Sequence, residues 1–190
     1  MGKLIVIESS CTAVLPYGLE KDTMPEVGAA LEALFATQVE PDARGLYLAS
    51  KNAGELSALR FWSDSQHSGV ALANPELFPW TLANAPCGWL ARQFRVTGPN
   101  YTYTGSAEAL REALEQASED LQSGRVTTAW VIAIDFSKKP RYNTALAAIR
   151  LGLRDRPGNA RQQLNIVENG SGKLSAAAFL QQIIRDTGAL

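Results

Sequence analysis

Ser106 is the residue of this sequence best placed to act on another molecule. It stands in GPNYTYTGSAEALREAL, Gly98 to Leu114. A turn at Gly98-Pro99 leads into Asn100 to Thr104, an alternating run rich in β-formers. Gly105 lets the backbone turn hard, and Ser106 opens a helix whose first turn carries Glu108. A strand that delivers a small polar residue onto a helix N-terminus is one way of exposing a nucleophile. The same letters also spell an ordinary strand-to-helix turn, with Ser106 as the cap. A serine nucleophile needs a base, usually histidine. The only histidine, His67, lies in the polar stretch Ser63 to Ser68, which reads as a surface loop carrying a solvated imidazole. Glu115, Glu119 and Asp120 read as a solvated helix face. These residues make no complete catalytic set.

Other chemistries fail on spacing. G-x-G-x-x-G and the Walker pattern are absent, and Gly170-Ser-Gly-Lys173 has neither the spacing nor a preceding strand, so it reads as a hairpin or loop. One histidine and two distant cysteines, Cys11 and Cys87, do not make a metal site. No metal and no cofactor is expected. Both thiols read as small buried hydrophobes in a reducing, cytoplasmic setting.

The elements that must hold Ser106 follow from composition and period. The chain of 190 residues is 46% hydrophobic and 19% charged, with net charge −1. Those values suit one globular domain, 1–190, and carry no nucleic-acid or membrane-surface footprint. No run approaches the ~18 apolar residues of a membrane span. The opening MGKLIVIESSCTAVLP is weakly like a signal peptide, but Glu8 and the short apolar run make it a strand, Leu4 to Leu15. A helix is predicted over Pro25 to Ala36, with Pro25 in its first turn. A turn at Pro41 to Gly45 precedes a short buried strand, Leu46 to Ala49, and Asn52 to Ser63 is expected to be helical. Pro86 should sit in the first turn of a helix through Phe94. After the central stretch, a helix with a small-residue face (Ala109, Leu110, Ala113, Leu114, Ala117, Leu121) ends at Gly124. Thr127 to Phe136 is apolar throughout, a strand buried on both faces, and Ala145 to Leu153 is another. Leu164 to Val167 is a further short strand, Asn169 to Gly172 a turn, and Ser175 to Thr187 an amphipathic helix. The class is α/β, a mixed sheet with helices on both faces.

Two stretches carry a family resemblance: FPWTLANAPCGWLARQFRVTGPNYTYTG, then SAEALREALEQASEDLQSGRVTTAWVIAIDF. Asn74 to Asp135 resembles the N-terminal half of β-ketoacyl synthases, condensing enzymes of thiolase-type fold. Tyr47 to Gly54 is similar, more loosely, to that family's earlier strand and glycine-containing loop. The resemblance implies a single thiolase-like half-fold. The family has a cysteine at the start of the helix after the strand. Counted from the helix that position is Ser106, and counted from Gly98-Pro99 it is Ala107. Neither is cysteine. The family's catalytic histidines and lysine belong to its C-terminal half, beyond the extent of the likeness.

A half-sized relative without the cysteine resembles the chain-length-factor-type subunits of type II polyketide systems, the short form most of all those of polyene-type pigments. The resemblance implies a non-catalytic partner of a β-ketoacyl synthase subunit, shaping its acyl tunnel and meeting an acyl carrier protein through the complex. It implies an interface at Asn100, Tyr101, Thr102, Tyr103 and Thr104, with Phe78, Trp80 and Trp89 nearby. Those three aromatics are equally readable as the chain's own core. Two other functions stay open: a serine-dependent acyltransferase using Ser106, and a homodimeric acyl-binding scaffold.

Overall fold

The structure, a computed structural model, describes residues 3–36, 39–155 and 174–188. The expected strand Leu164 to Val167, the turn after it and Gly170-Ser-Gly-Lys173 lie outside them. The elements run β1 (Lys3–Leu15), α1 (Glu20–Phe35), β2 (Arg44–Ser50), α2 (Glu55–Ser68) and α3 (Ala85–Gln93). Then come β3 (Asn100–Thr104), α4 (Ala107–Gln122), β4 (Thr128–Asp135), β5 (Thr144–Asp155) and α5 (Ala176–Thr187). Among the described residues the strands form a five-stranded sheet in the order β1-β5-β4-β2-β3. β3, β2 and β4 are parallel, while β5 runs antiparallel to both β4 and β1. The α/β class and the mixed sheet follow the sequence reading.

Strand pleat sorts the core into two layers. Tyr47, Ala49, Val131, Ala133 and Ile149 pack with α4 and α5. Leu46, Leu48, Trp130, Ile132 and Leu146 pack with α1 and α3. This double burial is why β4 reads apolar from end to end. Ala109, Ala113 and Ala117 bring α4 close to the first layer. In the second, Phe35 stacks on Trp130 at 4.6 Å and on Phe94 at 4.0 Å, and Trp130 Nε1 donates to the Leu34 carbonyl at 3.1 Å.

Three local expectations need correcting. α1 starts at Glu20, so Pro25 lies inside it. The hydrogen bond that proline forfeits is outweighed because Glu20, Thr23 and Met24 extend the buried stripe of Val27 and Leu31 backwards. Glu20 is fully buried, and its carboxylate accepts from the amides of Leu56 and Ser57, each at 3.0 Å, and from Ser57 Oγ at 2.5 Å. It caps α2 from another helix. Second, Ser63 to Ser68 is not a loop but the last turns of α2. Third, Asp120 is not solvated: it is 4% exposed, for the reason given next.

Candidate functional site

Among the described residues, β3 closes one side of the sheet and pairs with β2 alone, from Leu46↔Asn100 to Ser50↔Thr104. The Leu46 amide donates to the Pro99 carbonyl at 2.9 Å and the Gly105 amide to the Ser50 carbonyl at 3.1 Å. Bonding residues alternate along a parallel ladder. Tyr101 and Tyr103 therefore turn their backbone groups to β2, and Thr102 and Thr104 turn theirs to the open side. The strand has no charged residue, no proline and no bulge.

The opposite edge differs. β1 shifts register between Ile7 and Ser9, leaving Glu8 out of the ladder. Glu8 pairs with Arg150 at 3.2 Å, Lys3 begins the strand, and Pro16 follows it. A bulge, charges and a flanking proline are the devices that keep an edge from pairing with another chain. β1 carries the bulge and the charges and β3 neither, while each has a proline beside it, Pro16 after β1 and Pro99 before β3.

Side chains fix β3 from beneath. The Tyr47 hydroxyl donates to Asp120 Oδ2 at 2.7 Å, and Gln116 Nε2 donates to Oδ1 at 3.3 Å. Arg125 Nη1 donates to the Tyr101 hydroxyl at 2.9 Å and lies 3.4 Å from Asp120 Oδ1. Tyr47, Tyr101 and Tyr103 form a row with ring centroids 5.9 and 6.5 Å apart. Burial, then the bond to Asp120, holds the Tyr47 phenol far above its usual range. Burial also raises Tyr103. On the other face Cys87 Sγ sits 3.5 Å from the Tyr101 carbonyl oxygen, and burial pushes its thiol to about 11. Such a thiol is inert near neutral pH.

The strand-to-helix turn has Gly105 at φ 147°, a conformation that favours glycine. Ser106 occupies the N-cap of α4, half-buried, but its hydroxyl makes no capping bond. Ala107 is the first helical residue and is fully buried. α5 differs: Ser175 Oγ accepts from the Ala178 amide at 3.4 Å, and Asp135 Oδ2 from that of Ala177 at 2.8 Å.

His67 is not brought to Ser106. It stands exposed in the last turn of α2, its Nδ1 2.8 Å from the Ser63 carbonyl oxygen. α2 begins beside the strand ends, so roughly 18 Å of helix separates its first turn from His67 at 1.5 Å per residue. Of the three aromatics, Trp80 and Trp89 are half-buried against the α1–α3 layer, Trp89 so tightly that a Cβ at Gly28 would meet its ring at 2.9 Å. Phe78 remains 58% exposed and touches Phe61, ring centroids 5.8 Å apart. Sequence reading missed Glu20 and Asp120, though spacing pointed to both. Glu20 precedes Met24, Val27 and Leu31 on one helical stripe, and Asp120 follows Ala113 and Ala117 on another.

No protein-family model matches this sequence, and no curated protein matches it either. Solved structures do. A structure described as the ishigamide ketosynthase/chain length factor aligns with TM-score 0.55 at 17% identity, covering 66% of this chain and 39% of that one. A type II polyketide synthase acyl-carrier protein in complex with its ketosynthase aligns at 0.62 and 13%, covering 80% and 63%. A ketosynthase in complex with its chain length factor from Xenorhabdus doucetiae aligns at 0.57 and 12%, covering 78% and 79%. The chain thus spans less than two thirds of the first two. At these identities the likeness establishes the fold: a thiolase-type half-fold of the kind found in ketosynthases and chain length factors.

Proposed function

We propose, from that half-fold, that the chain is a non-catalytic, chain-length-factor-like subunit, 1–190 acting as one domain. It lends the open side of β3 to a catalytic β-ketoacyl synthase and shapes that partner's acyl tunnel during elongation on an acyl carrier protein. The observation that carries this is the contrast between the edges: among the described residues β1 is bulged and charged, β3 uncharged and open beside the turn where a condensing enzyme has its thiol. Two of the similar structures are described as ketosynthase–chain length factor assemblies, one as a ketosynthase with its carrier protein.

Co-expression with a β-ketoacyl synthase encoded beside it, followed by size exclusion, tests the reading. Thr102→Pro removes an amide aimed at the open side while sparing the ladder to β2. The wild-type chain should co-elute with the synthase, and Thr102→Pro should elute separately with an unchanged circular dichroism spectrum. A chain that never co-elutes, or a Thr102→Pro variant that still does, sinks the proposal. No base lies near Ser106 among the groups described above, so acyl thioesters should leave the chain's mass unchanged. An acyl adduct abolished by Ser106→Ala would put an acyltransferase in its place.

A further inference from the structure

The open side of β3 is flanked by a helix with an excess of one charge. α4 packs across β2, with β3 to one side and β4 and α5 to the other. Its solvent face carries Glu108, Glu112, Glu115 and Glu119, all exposed and three or four residues apart, so they make one stripe. The helix holds a single cation, Arg111. Asp120 is buried and is answered by Arg125 from the loop that follows. Four exposed carboxylates against one guanidinium leave the face at a net −3.

The stripe adjoins β3. Glu112, Gln116 and Asp120 follow one another four residues apart, on one row of the helix. Gln116 bonds Asp120, and Arg125 ties Asp120 to the Tyr101 hydroxyl of β3. After burial and Tyr101, the charges of Asp120, Glu112 and Glu119 help to raise the Tyr103 phenol, which places those carboxylates close to the strand. The other face of β3 carries both signs. Arg92 and Arg95, on and just after α3, share it with Glu40 and Asp42, which lead into β2.

We propose that this charge makes the open side of β3 selective: it turns away a second copy of the chain and takes a strand flanked by a basic helix. The inference rests on reading β3 as the partner-binding edge. Antiparallel pairing of β3 with another β3 sets a two-fold axis perpendicular to the sheet, so the two α4 helices lie on the same face. Strands are about 4.8 Å apart, which puts the two helix axes roughly 14 Å from each other. Helices about 10–12 Å across then leave a gap of only a few ångströms between their side chains. That gap is inside the ~8 Å screening length of physiological salt. Glu112 and Glu119 of each copy would stand near those of the other. Like charges brought together suppress a wrong partner, whereas lysines and arginines in the same place attract. The uncharged strand supplies hydrogen bonds that any strand can take, and the helix above it supplies the discrimination.

Charge reversal in the full chain tests it. The triple variant Glu112→Lys/Glu115→Lys/Glu119→Lys leaves Glu108 against Arg111 and three lysines, so the face goes from −3 to +3 while every new residue remains a good helix former. Wild type alone and variant alone should each sediment as monomers at about 0.01 M salt, where charges are little screened. Their equimolar mixture should form a heterodimer, weakened at least about tenfold at about 1 M salt. Thr102→Pro in either chain should abolish it. The variant should also bind the β-ketoacyl synthase at least about tenfold more weakly than the wild type, with an unchanged circular dichroism spectrum. A wild type that dimerises at low salt and stops doing so in Thr102→Pro overturns the proposal. So does a mixture that stays monomeric, or one indifferent to Thr102→Pro. A synthase that binds both forms alike also overturns it, and leaves the ketosynthase partnership standing. If the mixture associates and neither form binds the synthase, the ketosynthase partnership falls and the selectivity of the edge holds.

Discussion

Tyr47 and Asp120 are the pair on which the placement of β3 turns. Both are buried, and their bond joins β2 to α4 beneath the row of tyrosines. Tyr47→Phe would leave the buried Asp120 carboxylate short of a donor, at a cost of about 1–3 kcal/mol at neutral pH. The alkaline limb follows from linkage. The folded phenol is raised above its ordinary value of 10.0, so above pH 10 the unfolded chain loses a proton the native chain keeps. The unfolded state then binds fewer protons, and stability falls with rising pH by about 1.4 kcal/mol per unit for this group. Cys87, raised from 9.0 to about 11, adds a similar decline between those values. Urea unfolding at pH 8, 10 and 10.8 should show a shallower decline above pH 10 in Tyr47→Phe than in the wild type. Equal slopes would mean the phenol is not held protonated by the fold.

At the scale of elements, the decisive bond is the one from Glu20 to the start of α2. A helix exposes unpaired amides at its N-terminus, and here a side chain from α1, distant in sequence, satisfies them. Glu20→Ala would strand the amides of Leu56 and Ser57 and the Ser57 hydroxyl in a dry interior. The expected loss is about 2–3 kcal/mol, as for hydrogen bonds to a charged group. Chemical denaturation measures it, and a loss within about 0.5 kcal/mol would reduce Glu20 to an ordinary surface residue. α2 runs on through Ser63 to His67 despite their loop-like composition and stops at Ser68, where Gly69 at φ 86° takes a conformation that favours glycine.

For the molecule as a whole, the sheet order sets a gradient of protection. Among the described residues β4 is flanked on both sides and covered on both faces, while β3 is flanked on one. In hydrogen exchange of the isolated chain, β4 amides should be the slowest and those of Thr102 and Thr104 among the fastest of the strands. A β-ketoacyl synthase bound along β3 should slow Thr102 and Thr104 specifically. Protection of α2 and the 70–82 turns instead would mean that the synthase sits on the other face.

The sequence by itself determined the layers and most elements. Apolar-throughout β4, the alanine stripe of α4 and the glycine turn at 105 each follow from local period and backbone freedom, properties a segment carries wherever it packs. It also brought Ser106 to the head of a helix. Only the tertiary structure decided which edge stays open, because the bulge at Glu8 exists only opposite β5 and the freedom of β3 only beside β2. It alone separated His67 from Ser106 and turned Glu20 and Asp120 inward. A charged side chain is solvated or buried according to what the rest of the fold can offer it, and no stretch of sequence states that alone.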